Sequence, residues 1–251
     1  MMLRKELKNT MENLSNFNWG WMEKPSNITV KKLGKDIPLG EYHKNSMKDE
    51  IFVRDIYQKH FSVEENDVVV DLGASVGPFT YKIMSNKPSK VICIEPSSEE
   101  FPILKKNLQN FDNIIFEKCA LSNSNSSFTS DQIFSSDSQV IETTGITFPS
   151  FVKKHNLDKI DFLKTDCEGG EYDIFMDIDW VKNNIKKICG EWHLSTPLLK
   201  AKFRVFRDTV LIHFNNYHIF SVDNIDIKWD LWNEHFIEYY NEVLIYIDNR
   251  K

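Results

Sequence analysis

Two short stretches put acids and a histidine near enough in sequence to act as one group: 165-TDCEGGE-171 and 190-GEWHL-194. Their Asp166, Glu168, Glu191 and His193 can take or give a proton, and His193 is the best base on chemical grounds because an unperturbed imidazole titrates close to neutral pH. A single histidine near a strand end is just as readily a satisfied structural residue. Glu191 and His193 stand two apart, so in a strand they face the same side and can act together. No spacing pattern fixes a metal site, and none is expected; a Mg2+ ion, if the protein used one, would take Asp166, Glu168, Glu191 and His193. Glu171 opens the next helix, where the helix dipole is account enough for an acid.

A third stretch, 68-VVVDLGASVGPF-79, runs a β-branched segment into an acid and then a turn holding two glycines. A P-loop is excluded, since no G-x-x-x-x-G-K-[ST] occurs. A dinucleotide fingerprint starting at Gly73 needs glycine at 75 and 78, where Ser75 and Pro78 stand. What remains is D-x-G-x-x-x-G, with Asp71 placing negative charge where a pyrophosphate is repelled and a cation is welcome. Gly73 lets backbone approach a ligand, Gly77 permits tight helix-to-strand packing, and Pro78 suits a first helical turn. The next strand ends in 94-IEP-96, so Glu95 can take the two hydroxyls of a ribose. A ligand with a ribose, no phosphate and a positive charge is S-adenosylmethionine, and that is the expected cofactor. Asp166 then has a second candidate role, accepting a hydrogen bond from the cofactor's amino group.

These residues need a sheet to hold them. From about residue 46 short β-branched runs alternate with longer amphipathic stretches, the pattern of an α/β fold with a doubly wound, mostly parallel sheet. Seven strands are predicted, at 67–73, 90–96, 114–122, 161–167, 186–192, 217–223 and 242–248, with helices near 47–60, 78–85, 98–110, 147–156, 170–183 and 197–215. The last strand follows its predecessor without a clear crossover helix and is expected to run antiparallel. Residues 1–45 read as a partly helical N-terminal extension to a domain at 46–251, and 122-SNSNSSFTSDQIFSSDSQ-139 as a Ser-rich loop or irregular hairpin insertion near 122–140. In 17-FNWGWMEKP-25 the tryptophans either pack on the domain or lie over the site's mouth. The aromatic tail 228-KWDLWNEHFIEYY-240 suits either a sugar ring or packing on the sheet.

Composition narrows the partners. In 251 residues the formal net charge is −6 and no block of lysine and arginine appears, which argues against a surface for duplex nucleic acid. No apolar run reaches the length of a membrane span, and MMLRKELKNTMENL lacks the apolar core of a signal peptide, so a cytoplasmic protein is expected. Cys93, Cys119, Cys167 and Cys189 lie in or beside apolar runs with no C-x-x-C pair, and are read as buried free thiols.

Taken together, VVVDLGASVGPFT, VICIEPSSEEFPILKKNL, the short KCALS and above all IDFLKTDCEGGEYDIF resemble the FkbM-type branch of the Rossmann-fold methyltransferases, over roughly residues 46–192. The resemblance implies an S-adenosylmethionine-dependent O-methyltransferase acting on a hydroxyl of a sugar, glycan or similar polyhydroxylated metabolite. It implies that Asp71, Gly73, Ala74 and Gly77, with Ser75 between them, hold the methionine half, Glu95 with Pro96 the ribose, and Ala120 with Leu121 the adenine edge. Cys167 stands where the family commonly has a small aliphatic residue. The other readings are methylation of RNA or another small molecule, and a cofactor-binding module without turnover. Oligomeric state is not legible.

Overall fold

The computed structural model describes residues 14–32, 35–131 and 140–250. Seven strands make one sheet: β1 (Val68–Leu72), β2 (Lys90–Ile94), β3 (Ile114–Glu117), β4 (Ile160–Thr165), β5 (Ile185–His193), β6 (Tyr217–Phe220) and β7 (Glu242–Asp248). Their order is 3-2-1-4-5-7-6, with every pair parallel except those made by β7, which runs antiparallel to both β5 and β6. The reversed last strand is as expected, and the architecture is the Rossmann-like methyltransferase fold. The strand order reverses between β1 and β4, and the crevice outside their carboxyl ends is where such sheets take ligands.

The strands read as apolar runs because both faces are covered. Alternate side chains of one strand enter different cores: Val70 and Leu72 pack with Leu163, Ile188 and Trp192, while Val69 packs with Phe162, Cys189 and Tyr246. Seven helices are labelled in chain order as α1 (Leu39–Lys48), α2 (Pro78–Ile83), α3 (Glu100–Asn107), α4 (Phe148–Lys154), α5 (Ile178–Asn184), α6 (Pro197–Thr209) and α7 (Glu234–Ile237). Local chemistry sets several starts. The Thr147 and Thr196 hydroxyls accept from Ser150 N and Leu199 N, each with proline in the first turn.

Several expected elements are shorter or broken. The helix expected near 47–60 is instead the end of α1, a π-turn at Asp49–Val53 and a 3-10 turn at Ile56–Gln58, separated by Asp55 at φ 53. The helix expected at 170–183 breaks at Asp177, whose side chain accepts from Trp180 N and so starts α5 afresh. The third strand expected at 114–122 leaves the sheet after Glu117; Ala120–Leu121 pairs with Gly145–Ile146 in a separate three-stranded sheet. That small sheet is completed by an antiparallel hairpin of Ser127–Asp131 with Val140–Ile146, so the Ser-rich insertion is built on a hairpin, and its residues 132–139 lie outside the described residues. Residues 1–13 of the N-terminal stretch also lie outside them. Its described part carries the hairpin of Thr29–Lys32 with Lys35–Pro38, and residue 46 lies within α1. Three of the cysteines, Cys93, Cys119 and Cys189, are buried free thiols, and Cys167 is free and half-buried. Among the described residues no helix is long and apolar enough to cross a membrane.

Gly190 shows how tightly β4 and β5 are joined. A Cβ there would stand 1.9 Å from the Thr165 carbonyl oxygen. Gly190→Ala is expected to cost about 1–3 kcal/mol, lowering the melting temperature by roughly 2–4 °C per kcal/mol. An unchanged thermal melt would show that the two strands part there without penalty.

Candidate active site

The turn after β1 is held by the end of β2. Gly73 N and Ala74 N both donate to Ile94 O, at 3.0 and 2.9 Å. Gly73 has φ +73, and a Cβ on it would lie 1.8 Å from Asp166 O, so the glycine is needed for contact with the end of β4. Gly77, φ +90, meets Leu104 of α3 and Leu108 just past its end, so its close packing is helix against helix rather than helix against strand. Ser75 also has positive φ, at 50.

Asp71 departs most from its expected part. Its side chain is wholly buried, with Oδ1 3.2 Å from Lys164 Nζ and Oδ2 accepting from the Thr80 hydroxyl at 2.7 Å. Its charge is spent inside the protein, so the argument that it welcomes a cationic ligand gives way to one of support. Lys164 Nζ also donates to Gly73 O at 2.6 Å, tying the turn to β4. Burial alone would lower the Lys164 pKa, but Asp71 and then Asp166 hold it above the ordinary lysine range.

Glu95 sits at the end of β2 with both oxygens engaged: Oε2 accepts from Ser75 N at 2.8 Å and Oε1 from Ser97 N at 2.7 Å. Burial, then the neighbouring Glu100, push its carboxyl up to about 8. Pro96 follows half-buried, and Leu121 is buried beside half-buried Ala120 in the small sheet.

The second group gathers at the ends of β4 and β5. One atom each from Asp166, Glu191 and His193 lies within 4.8 Å of the others, a spacing a divalent cation can share. Tyr57 Oη is 3.1 Å from Asp166 Oδ2 and 3.1 Å from Glu191 Oε1. A phenol has one proton to donate, so it donates to one carboxylate and accepts from the other acid in protonated form. Burial, then the charges of Asp166, Glu50 and Glu242, raise the Glu191 pKa well above the carboxylate range, which favours the proton on Glu191. The same environment raises Tyr57, so it stays a phenol.

His193 is buried, and its surroundings favour the charged ring over the free base expected of it. Its Nδ1 lies 2.8 Å from Glu171 Oε1, and its Nε2 lies 3.3 Å from Glu168 and 3.8 Å from Asp166. Burial would lower its pKa, yet the hydrogen bond and charge of Glu171, then Glu168 and Asp166, carry it up to about 11. At neutral pH it is an imidazolium with no lone pair for a substrate proton. Its raised pKa stabilises the fold fully below the unfolded value near 6.5, and that contribution is lost progressively as pH rises to about 11. Imidazole NMR signals of His193 are expected to stay those of the protonated ring at pH 9; a midpoint near 6.5 would undo this assignment.

Glu171 is therefore more than a helix-start acid. It is wholly buried, and besides the imidazole it accepts from His193 N at 2.7 Å and Gly169 N at 2.8 Å. Its signal was visible in TDCEGGE, as was that of Lys164, a lysine inside the wholly buried β4. Tyr57, Glu50 and Glu242 gave none, since each reaches the site from an element remote in sequence. Glu168, at φ 53, is half-exposed at the rim.

A family model described as the Methyltransferase FkbM domain matches residues 71–219. The chain belongs to the FkbM methyltransferase family. The FkbM match spans the glycine turn, Glu95, Asp166, Glu171, Glu191 and His193, while Glu50, Tyr57 and Glu242 fall outside it. An uncharacterized methyltransferase-like protein of Schizosaccharomyces pombe is 26% identical over 85 residues, 34% of this chain. The aligned region spans about a third of that relative, 32% of its length. Among solved structures, Aeropyrum pernix fibrillarin bound to S-adenosyl-L-methionine overlays with a TM-score of 0.45 at 10% identity, covering 91% of this chain and 86% of that one. TrmK of M. capricolum with S-adenosylhomocysteine overlays with a TM-score of 0.39 at 15% identity, covering 79% and 67%.

Proposed function

We propose that this FkbM-family chain is a cytoplasmic O-methyltransferase that moves a methyl group from S-adenosylmethionine to a hydroxyl of a sugar, glycan or similar polyhydroxylated metabolite. The observation that carries the reading is the Asp166–Tyr57–Glu191 group at the carboxyl edge of the sheet, two half-buried acids joined by a buried phenol beside the glycine turn. An alcohol needs its proton taken as it attacks, and carboxylates in reach of one another supply that chemistry. The sulfonium supplies an activated methyl and leaves as a neutral thioether. The protein's task is to align the acceptor oxygen and receive its proton.

In this reading Glu95 accepts from the ribose, Gly73, Ala74, Ser75 and Gly77 shape the turn around the methionine half, and Ala120 and Leu121 border the adenine. Asp166, with a side chain 29% exposed, takes the acceptor's proton. Tyr57 donates to it from behind and accepts from the protonated Glu191, and the His193 imidazolium offsets the charge that the acids gather. Several hydroxyls on one acceptor suit the further acids Glu50, Glu168 and Glu242. Assays with EDTA and with added Mg2+ report whether a cation shares the Asp166, Glu191 and His193 atoms.

The test is calorimetric titration of ligand-free protein with S-adenosylmethionine and, separately, NAD+, followed by acceptor screening with radiolabelled donor. One-site binding of the first ligand only, weakened about tenfold or more by Glu95→Ala, is expected, since that change removes the hydrogen-bond partner of the ribose. Absence of binding would overturn the cofactor and with it the reaction.

A further inference from the structure

Tyr57 reaches the acid group from a short stretch, residues 55–60, that lies between α1 and β1. The stretch begins at Asp55, whose φ of 53 is a sparsely populated conformation that persists only where the surroundings enforce it. Lys82 Nζ pairs with Asp55 Oδ1 at 2.8 Å. From the other side the Tyr246 hydroxyl of β7 donates to Ile56 O, the carbonyl just before Tyr57.

Tyr246 is flanked by a stacked pair of imidazoles. His60, three positions beyond Tyr57, lies face to face with His218 of β6, with ring centroids 4.6 Å apart and planes 10° from parallel. The His60 ring is also 4.5 Å from that of Tyr246 and 5.0 Å from that of Phe220, and His218 stands directly across the β6–β7 pair from Tyr246. Both histidines are half-buried. The Nε2 atom of His60 is buried and, among the described residues, meets no hydrogen-bond partner.

The charges around the stack favour its neutral form. Lys59 Nζ lies 4.3 Å over the Phe220 ring, while Asp226, bridged to Phe220 through the backbone, supplies an opposing negative charge. Burial, then His218 and Lys59, hold the His60 pKa below the ordinary 6.5, and Asp226 offsets this only in part. Two imidazolium rings stacked at this distance repel each other. An imidazolium also donates from both nitrogens, and Nε2 of His60 has no acceptor to meet.

Building on the place of Tyr57 in the proposed methyl-transfer site, we infer that the stacked His60–His218 pair is an acid-sensitive latch that, through Tyr246, holds Tyr57 against Asp166 and Glu191. Below about pH 6 the charged His60 ring turns toward solvent and Tyr246 loses the packing that aims its hydroxyl at Ile56 O. Residues 55–60 then draw Tyr57 away from the acids. His60, His218 and Tyr246 are positioning residues that act through Tyr57. Because the folded state holds His60 neutral, the stability it keeps is full above 6.5 and is lost as pH falls through the lowered midpoint.

The experiment follows the full chain by NMR, without methyl donor or acceptor, from about pH 8 down to about pH 5, the range in which imidazoles titrate. It records the imidazole signals of His60 and His218 and the backbone amide of Tyr57 in wild type, His218→Phe and Tyr246→Phe, with thermal melts at the upper pH to confirm folding. In wild type the His60 midpoint is expected below 6.5, and the Tyr57 amide is expected to shift with that same midpoint. His218→Phe keeps an aromatic partner without the second charge, so the His60 midpoint should rise and the Tyr57 shift should shrink several-fold. Tyr246→Phe keeps the ring without the hydroxyl, so His60 should still titrate while Tyr57 stays at its released position at every pH. With an acceptor in hand, wild-type kcat should fall several-fold across the same range, and His218→Phe should blunt the fall. A wild-type His60 midpoint at or above 6.5, or a Tyr57 signal that ignores it, overturns the latch, as does a Tyr57 transition unchanged in either variant. Failure of S-adenosylmethionine to bind overturns the methyl-transfer reading alone, since the NMR titration needs no donor.

Discussion

Asp166→Asn is expected to lower kcat for methyl transfer by about 10²–10⁴-fold, the usual contribution of a general base. In the proposed reading this carboxylate has the part: its side chain is 29% exposed, Tyr57 reaches it at 3.1 Å, and burial beside other acids favours the proton on Glu191. Asparagine keeps the size and one acceptor oxygen but cannot take a proton from an alcohol. Measured on an acceptor found by screening, the loss should fall on kcat with S-adenosylhomocysteine affinity retained. If affinity falls in parallel, Asp166 is holding the cofactor's amino group, and the base lies elsewhere in the acid group. A variant with undiminished kcat would remove Asp166 from the chemistry altogether.

Lys164→Met should be the most damaging single change to stability among those considered, about 3–5 kcal/mol, because it strips the partner from a buried acid. Asp71 is wholly buried, and Lys164 Nζ stands 3.2 Å from it, with Leu72 O and Gly73 O as further acceptors. Methionine fills the space and leaves the carboxylate with only the Thr80 hydroxyl. The double variant Asp71→Asn, Lys164→Met should recover much of the loss, since no uncompensated charge remains. Urea unfolding of the four proteins reads this out as a double-mutant cycle. A Lys164→Met protein within about 1 kcal/mol of wild type, where exposed ion pairs fall, would mean that the pair is solvated and that the turn after β1 does not depend on it.

The comparison of Asp71 with Glu95 shows where sequence reasoning holds. Glu95 is placed by a local rule, the acid ending the strand next to the glycine turn, and it lies where that rule puts it, with its carboxylate at the turn. Asp71 obeys an equally local rule, but its charge answers to Lys164, 93 positions along the chain, and no local pattern reports that pairing. The glycines behave alike: their need for small size is legible, yet whether Gly73 clears a ligand or the Asp166 carbonyl depends on how closely β1 and β4 approach.

By itself the sequence determined the α/β class, the seven strands, the reversed last strand and the family, because hydrophobic periodicity, turn chemistry and short motifs are local properties. It also named Asp166, Glu191 and His193 as neighbours, since parallel strands end at one edge. Tertiary structure alone decided the proton affinities of the last two. Burial, Glu171 on Nδ1 and Glu168 and Asp166 facing Nε2 turn the histidine from base to cation, and Tyr57, Glu50 and Glu242 arrive from other elements to set the proton on Glu191. Proton affinity depends on the dielectric and on every charge within a few ångströms, and those are sums over the folded chain rather than over its order.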